Sequence, residues 1–318
     1  MDAGDLRVFE AVARSGSMNR AAATLHTVQS NVTARIRALE AEIGVTLFER
    51  HARGVTLTAA GQRMLPFVGR ITKLFADARS AACDDGSPGG ALLLGSLETT
   101  AALRLSPLLS RFARQHPQVR LAVSTGTTAR LVADVIDGRL DGAFVAGPVD
   151  HPRLHREVVF CEELVLVTER AIRAPRDLAA IDELKTIVFQ IGCCYRQRLD
   201  AVLARRGIVV TRPFEFGSIE AILACVSAGI GVTLLPKAVV AEAWQQGRVA
   251  VHELAPEEAA VETLFVHRDD AYISSAMTAF LAMARPGAAP AAIAAPVTPA
   301  GTDRPTGRDG FRRPEAVD

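Results

Sequence analysis

Residues 29–37 read Gln-Ser-Asn-Val-Thr-Ala-Arg-Ile-Arg, short polar side chains and arginines interleaved with aliphatic ones. A glutamine amide can pair bidentately with an adenine edge, and an arginine with guanine or phosphate. Small hydroxyls suit phosphate or a thymine methyl. Gln29, Ser30, Asn31, Thr33, Arg35 and Arg37 could therefore read a nucleic-acid groove. The same arginines could instead lie on a solvated helix face, paired with Glu40 and Glu42. Arg50, His51 and Arg53 form a second basic group suited to a phosphate backbone or minor groove; Arg50 could equally serve an internal salt bridge.

A third set stands at four places where an apolar run gives way to a helical pattern. It comprises Thr99 and Thr100; Thr125, Gly126 and Thr127; Cys193, Cys194, Tyr195 and Arg196; and Ser218. Hydroxyls and exposed amides at such junctions can hold a small anion, and Arg196 could add a full positive charge. The threonines and Ser218 could equally be helix caps and nothing more. A thiol at a helix start beside Arg196 could also have a lowered pKa and be redox-reactive. Neighbouring cysteines bridge only through a strained ring, and Cys193 and Cys194 have no evident resolving partner. Cys161 and Cys225 have apolar neighbours and are expected in the core; Cys83 is expected in a linker. No Cys/His spacing suits zinc, so no metal or cofactor is expected.

These residues need elements to position them. Apolar spacing predicts helices over 5–14, 18–25 and 29–43, the second capped by Ser17 and the third ended by Gly44. A small hairpin over 47–58 follows, completing a winged helix-turn-helix. A long helix is predicted over 58–82, with Ala60, Met64, Phe67, Ile71, Leu74 and Ala78 in an a/d seam suited to dimerisation, and a kink or late start at Pro66. Cys83 to Gly90 is a linker by composition. Beyond it, strands (91–94, 119–124, 142–146, 164–168, 186–190, 213–216, 231–235, 249–254, 263–267) alternate with helices (101–116, 129–137, 195–206, 219–228), and a last helix covers 273–284. That alternation predicts an α/β domain of two similar lobes, a largely parallel sheet and a cleft between the lobes. The expected division is 1–60, 61–90, 91–285 and an Ala/Pro/Gly-rich tail at 286–318, six of the sixteen prolines falling in that tail and marking it as disordered.

Composition narrows the function classes. The 318 residues are 49% hydrophobic and 22% charged, which excludes disorder over the whole length. Lys+Arg total 36 against 35 for Asp+Glu, so this is no strongly basic polyanion binder. Within residues 1–60, seven arginines face six carboxylates. DNA affinity there would come from local geometry and dimer avidity. No run approaches ~18 uncharged apolar residues, so no membrane span is expected. The acidic start, with Asp2, Asp5 and Glu10, is unlike a secretion signal, which makes the cytoplasm the expected compartment.

Residues 6–61 resemble the N-terminus of LysR-type transcriptional regulators. The matching positions include Phe9, Val12-Ala13, Gly16-Ser17, Ala21-Ala22, Leu25, Gln29-Ser30, Val32-Thr33, Ile36, Leu39-Glu40, Gly44, Leu47-Phe48-Glu49-Arg50 and Leu57-Thr58-Ala60-Gly61. Val28 and Asn31 depart from the usual serine and proline or alanine, at the start of the helix that would enter the groove. The Gly192-to-Arg196 run resembles a subgroup with Gly-Cys-x-Tyr-Arg at this junction, one that includes regulators linked to sarcosine oxidation and cell-division genes. The resemblance implies a winged helix-turn-helix, a dimerising linker helix and a two-lobed, periplasmic-binding-protein-like α/β domain. It implies double-stranded promoter DNA, a small effector between the lobes, which the junction chemistry suggests is anionic, and a homodimer or homotetramer. It favours DNA contact for the residues of 29–37 and 50–53, and ligand contact for the junction set.

Two other classes compete. A transport solute-binding protein fits the second half but leaves the first 82 residues unexplained. An enzyme using Cys193 with His151, His155 or His267 as base would need a pairing that nothing in the sequence fixes.

Overall fold

Asp2 opens the first helix, α1 (Ala3–Ser15), with a reciprocal capping box: its carboxylate accepts from the Asp5 amide, and Asp5 accepts from the Asp2 amide. Ser17 caps α2 (Met18–Thr24). The third helix, α3 (Gln29–Ile43), buries Val32, Ile36 and Leu39 and ends at Gly44, whose positive φ of 81° suits glycine. Strands β1 (Phe48–His51) and β2 (Gly54–Leu57) form an antiparallel hairpin. Phe9, Val12, Ile36, Leu47 and Phe48 share one core, with Phe9 and Phe48 rings 5.2 Å apart. This computed structural model describes residues 1–52, 54–181, 183–208, 210 and 213–285. Arg53 and the tail at 286–318 lie outside the described residues.

The long helix α4 (Ala59–Cys83) runs through Pro66 as one element, where the sequence suggests a kink or late start. Its expected seam divides. Ala60, Met64 and Ile71 pack onto the N-terminal core, whereas Phe67 and Leu74 face outward, as does Phe75. A helix against a globular body has two apolar margins, and spacing alone does not say which faces its own chain. Cys83 ends this helix; it is not in the linker.

The second half follows as β3 (Gly90–Ser96), α5 (Glu98–Thr100), a π-helical segment (Ala101–Leu105) and α6 (Ser106–Gln115). Then come β4 (Val119–Thr125), α7 (Thr128–Ile136) and β5 (Gly142–Ala146). The long β6 (Leu154–Glu169) leads through a 3-10 turn (Pro175–Ala180) to β7 (Ile187–Val188), α8 (Cys194–Arg205), β8 (Phe214–Glu215) and α9 (Ile219–Ser227). Last are β9 (Thr233–Pro236), α10 (Lys237–Gln245), β10 (Val249–His252), α11 (Pro256–Ala259), β11 (Ala260–Arg268) and α12 (Ser275–Ala284).

The sheet is mixed, a correction to the largely parallel one expected. β3 pairs in parallel with β4 and β5, but β11 runs antiparallel to β5 and β6, and β9 and β10 run antiparallel to β6. The reason is the crossing between lobes. β6 leaves the first lobe, where residues from Leu154 to Glu163 pair with β11, and enters the second, where Leu164 to Val167 pair with β9. The chain returns on β11 in the opposite direction. One core joins the lobes through Leu97, Leu131, Leu164, Leu199 and Leu234. Phe112, Phe144, Phe265 and Phe280 fill the first lobe, and Val165, Ile222, Val226 and Leu235 the second.

Two contacts tie α4 to this half. A Cβ on Gly69 would lie 2.7 Å from the Asp137 carbonyl oxygen, so the helix backbone rests directly on the end of α7. Beside it Lys73 bridges Asp77 and Asp141, 2.8 Å from the latter. Burial acts to lower the Lys73 pKa, but the two carboxylates outweigh it and hold it above its ordinary value. Asp84, just past α4, accepts from the Ser275 amide at 2.8 Å, the Ser275 hydroxyl at 2.5 Å and the Tyr272 hydroxyl at 3.0 Å.

Candidate functional site

Two places gather the residues singled out above. The first is the exposed face of α3. With Val32, Ile36 and Leu39 buried beneath, Gln29, Ser30, Asn31 and Arg37 are exposed and Thr33 is half-buried. Val28 occupies the N-cap without a side-chain hydrogen bond, so the start of α3 is open. Gln29 donates to the Thr33 hydroxyl at 2.8 Å, and Asn31 to the Thr27 hydroxyl at 3.0 Å, which holds both amides on the surface. The Arg37 guanidinium has no partner among the described residues. It does not pair with Glu40, whose carboxylate accepts from the amides of Leu47 (2.7 Å) and Phe48 (3.1 Å) and anchors the hairpin. Arg35 forms an ion pair with Asp5 at 3.2 Å, beside Asp2, and ties α3 to α1. In the hairpin, Arg50 and His51 are exposed without side-chain partners among the described residues; Arg53 lies outside them.

The second place is a cavity of about 150 Å³ between the lobes. It is lined by Leu97, Glu98 and Thr99, by Thr125, Gly126 and Thr127, and from the other lobe by Phe189, Gln190, Cys193, Tyr195, Phe216 and Gly217. Thr99 and Tyr195, both almost fully buried, share a hydrogen bond of 3.3 Å across the cleft. Desolvation by burial pushes the Tyr195 pKa up, so its hydroxyl is neutral. Thr127 also caps α7, accepting from the Arg130 amide at 3.4 Å.

Four candidates lie elsewhere. Thr100 is buried but does not line this cavity. Cys194 faces a separate apolar hollow with Pro148, Val149 and Arg198. Arg196 is bound to Glu215 at 2.6 Å, which removes it as a free cation for a ligand. Ser218 caps α9 and donates to Glu220. Lining residues that the sequence reading missed, notably Glu98, Phe189, Gln190 and Phe216, flank the hydroxyl-bearing junctions it did find.

The thiols speak against the redox alternative. Burial raises the pKa of Cys193, outweighing nearby amides and Arg196, and pushes Cys194 up to about 12. Both are neutral thiols at ordinary pH, poor nucleophiles. Cys161, expected in the core, is exposed, because the charged half of β6 carries it; Cys225 is half-buried. Among the described residues no cluster could hold a metal ion, and no helix is long and apolar enough to cross a membrane.

Comparison with known proteins decides the family. A model of the bacterial regulatory helix-turn-helix protein, lysR family, matches residues 3–62, and the LysR substrate binding domain matches 85–289. The chain belongs to the LysR family. This LysR regulator is 40% identical over 276 residues to the HTH-type transcriptional regulator GltR of Bacillus subtilis (strain 168), covering 87% of this chain and 93% of GltR. It is also 40% identical over 281 residues to the regulator YofA of the same organism, covering 88% and 97%. Full-length CbnR complexed with its target DNA shares the fold with a TM-score of 0.60 at 25% identity, covering 89% of this chain and 98% of CbnR. ArgP from Mycobacterium tuberculosis does so with 0.63 at 20%, covering 90% and 98%. The LysR regulator is thus a DNA-binding transcriptional regulator modulated by a small effector, and not an enzyme.

Proposed function

We propose that this regulator docks α3 in the major groove of a promoter operator, with Gln29, Ser30, Asn31, Thr33 and Arg37 on base edges and phosphates and Arg50, His51 and Arg53 on the flanking backbone. The observation that carries this is the polar face of α3: exposed, lacking a side-chain cap, and with Arg37 free of any partner among the described residues. Residues 1–60 act as the DNA-binding unit, 61–90 as dimerising helix and hinge, and 91–285 as the effector unit, within the cytoplasm. The outward Phe67, Leu74 and Phe75 support self-association through α4 into dimers, which can pair as tetramers. The effector sits in the interlobe cavity with Thr99, Thr125, Gly126, Thr127, Cys193 and Tyr195 around it. It carries a carboxylate, met by the hydroxyls at the helix starts.

A nuclease footprint upstream of this protein's own gene tests the reading, run with and without a pool of small carboxylates and amino acids. A palindromic protected site whose extent shifts with one pool is expected. Absence of sequence-preferring protection at moderate salt overturns it.

A further inference from the structure

Resting on the effector reading just given, we infer that the ligand is a small amino acid whose ammonium group is held by Glu98. Among the described residues lining the cavity, Glu98 is the one with a charged side chain. It is half-buried, and its carboxylate has no hydrogen-bond or ion-pair partner among the described residues. Arg196, the nearby cation that could neutralise an occupant or pair with Glu98, is committed to Glu215. No described lining residue carries a charge of opposite sign to this carboxylate, the setting in which a ligand cation is favoured. Phe189 and Phe216 line the same space, and aromatic faces attract an ammonium as well.

The rest of the lining suits the other end of the molecule. Tyr195 and Thr99 have two hydroxyl protons between them, and their mutual bond uses one, leaving the other for a ligand oxygen. Thr125 and Thr127 stand beside them, at the end of β4 and the start of α7, where partial positive charge favours a carboxylate. A ligand with only an acid group would meet these donors but would place its charge in the same small cavity as Glu98. Size agrees. A cavity of this volume accepts a molecule of roughly the size of benzene, about six non-hydrogen atoms, which is the scale of a short-chain amino acid.

The full chain tests this. Each proteinogenic L-amino acid and its 2-hydroxy acid counterpart, with the ammonium replaced by hydroxyl, is titrated at millimolar concentration against thermal melting and then calorimetry. At least one amino acid should raise the melting temperature. Its hydroxy acid should bind about tenfold or more weakly, the scale of one charge-assisted contact. Glu98→Gln should lose the same factor for the amino acid and nothing for the hydroxy acid, while keeping the apo melting temperature and the operator footprint that show it folds. Equal binding of the hydroxy acid, unchanged amino-acid affinity in Glu98→Gln, or no response to any amino acid overturns the inference. Binding of nitrogen-free carboxylates alone overturns it while leaving the interlobe effector site standing; silence from both classes sinks both.

Discussion

Arg35 and Arg37 sit two residues apart on α3 and have different fates. The first is held by Asp5; the second is exposed with no partner among the described residues. Arg37→Ala should weaken operator binding by about 1–3 kcal/mol and relax base preference, read by titration against operator and scrambled DNA. Sequence spacing places Arg37 on the polar face and Arg35 on its flank, because it reports rotation about the axis. It could not see that a guanidinium has the reach to cross to α1. Glu40 was illegible for the same reason: spacing offered it to an arginine on its own helix, but the chain turns at Gly44 and brings the amides of Leu47 and Phe48 to it. In the cleft, Thr125 lines the cavity from a strand end and caps nothing, unlike Thr127. Thr125→Val should leave apo melting within about 0.5 kcal/mol of the parent and blunt the effector's change in the footprint.

At the scale of elements, α3 was legible to the residue, since its three buried positions and terminal glycine leave no other reading. Two other elements were not. The first half of β6, from Leu154 to Glu163, is rich in charge and pairs with β11 on one side, while β10 meets only its far end. A strand that is half edge can carry polar side chains on both faces, so it lacks the apolar run that marks a buried strand. Helix α10 follows Pro236 with no side-chain cap, which removed the usual start signal. The seam of α4 was read as one stripe, yet Phe67 is 62% and Leu74 47% exposed while Met64 and Ile71 face the core. The outward residues are the ones to test. Phe67→Glu with Leu74→Glu should shift the protein toward monomer in sedimentation and weaken operator binding through lost avidity, with the N-terminal core intact.

Across the whole molecule, one nine-residue helix runs from the ligand cavity to the linker helix. The start of α7 carries Thr127 on the cavity, and the Asp137 carbonyl at its far end touches α4 at Gly69. A helix moves along its axis as a unit, so a ligand that displaces the Thr127 end of α7 should also displace the support on which the linker helix lies. Gly69→Ala gains up to about 1 kcal/mol of helix propensity. It should nevertheless lower the melting temperature, because the added methyl overlaps a backbone oxygen, a class of crowding that costs about 1–3 kcal/mol. Calorimetric melting gives the sign directly. The two-lobed plan was legible from alternation of strand and helix patterns; the place where α4 leans on it was not, because it depends on a glycine's missing side chain.

The clasp at Asp84 bears on where this chain can be cut. Tyr272 and Ser275 lie at the start of α12 and grip a carboxylate from the end of α4, so this aspartate completes the second half although it precedes β3, the first strand of that half. These donors hold its pKa below the usual carboxylate range, so their contribution persists at neutral pH and fades only as acid protonates the group. A fragment spanning 84–285 should therefore melt above one spanning 86–285 in the same buffer, and equal melting would assign the clasp no weight. Chimaeras that graft this ligand-binding half onto another DNA-binding head should be spliced upstream of Asp84, within the helix, and not in the glycine-rich stretch that follows it.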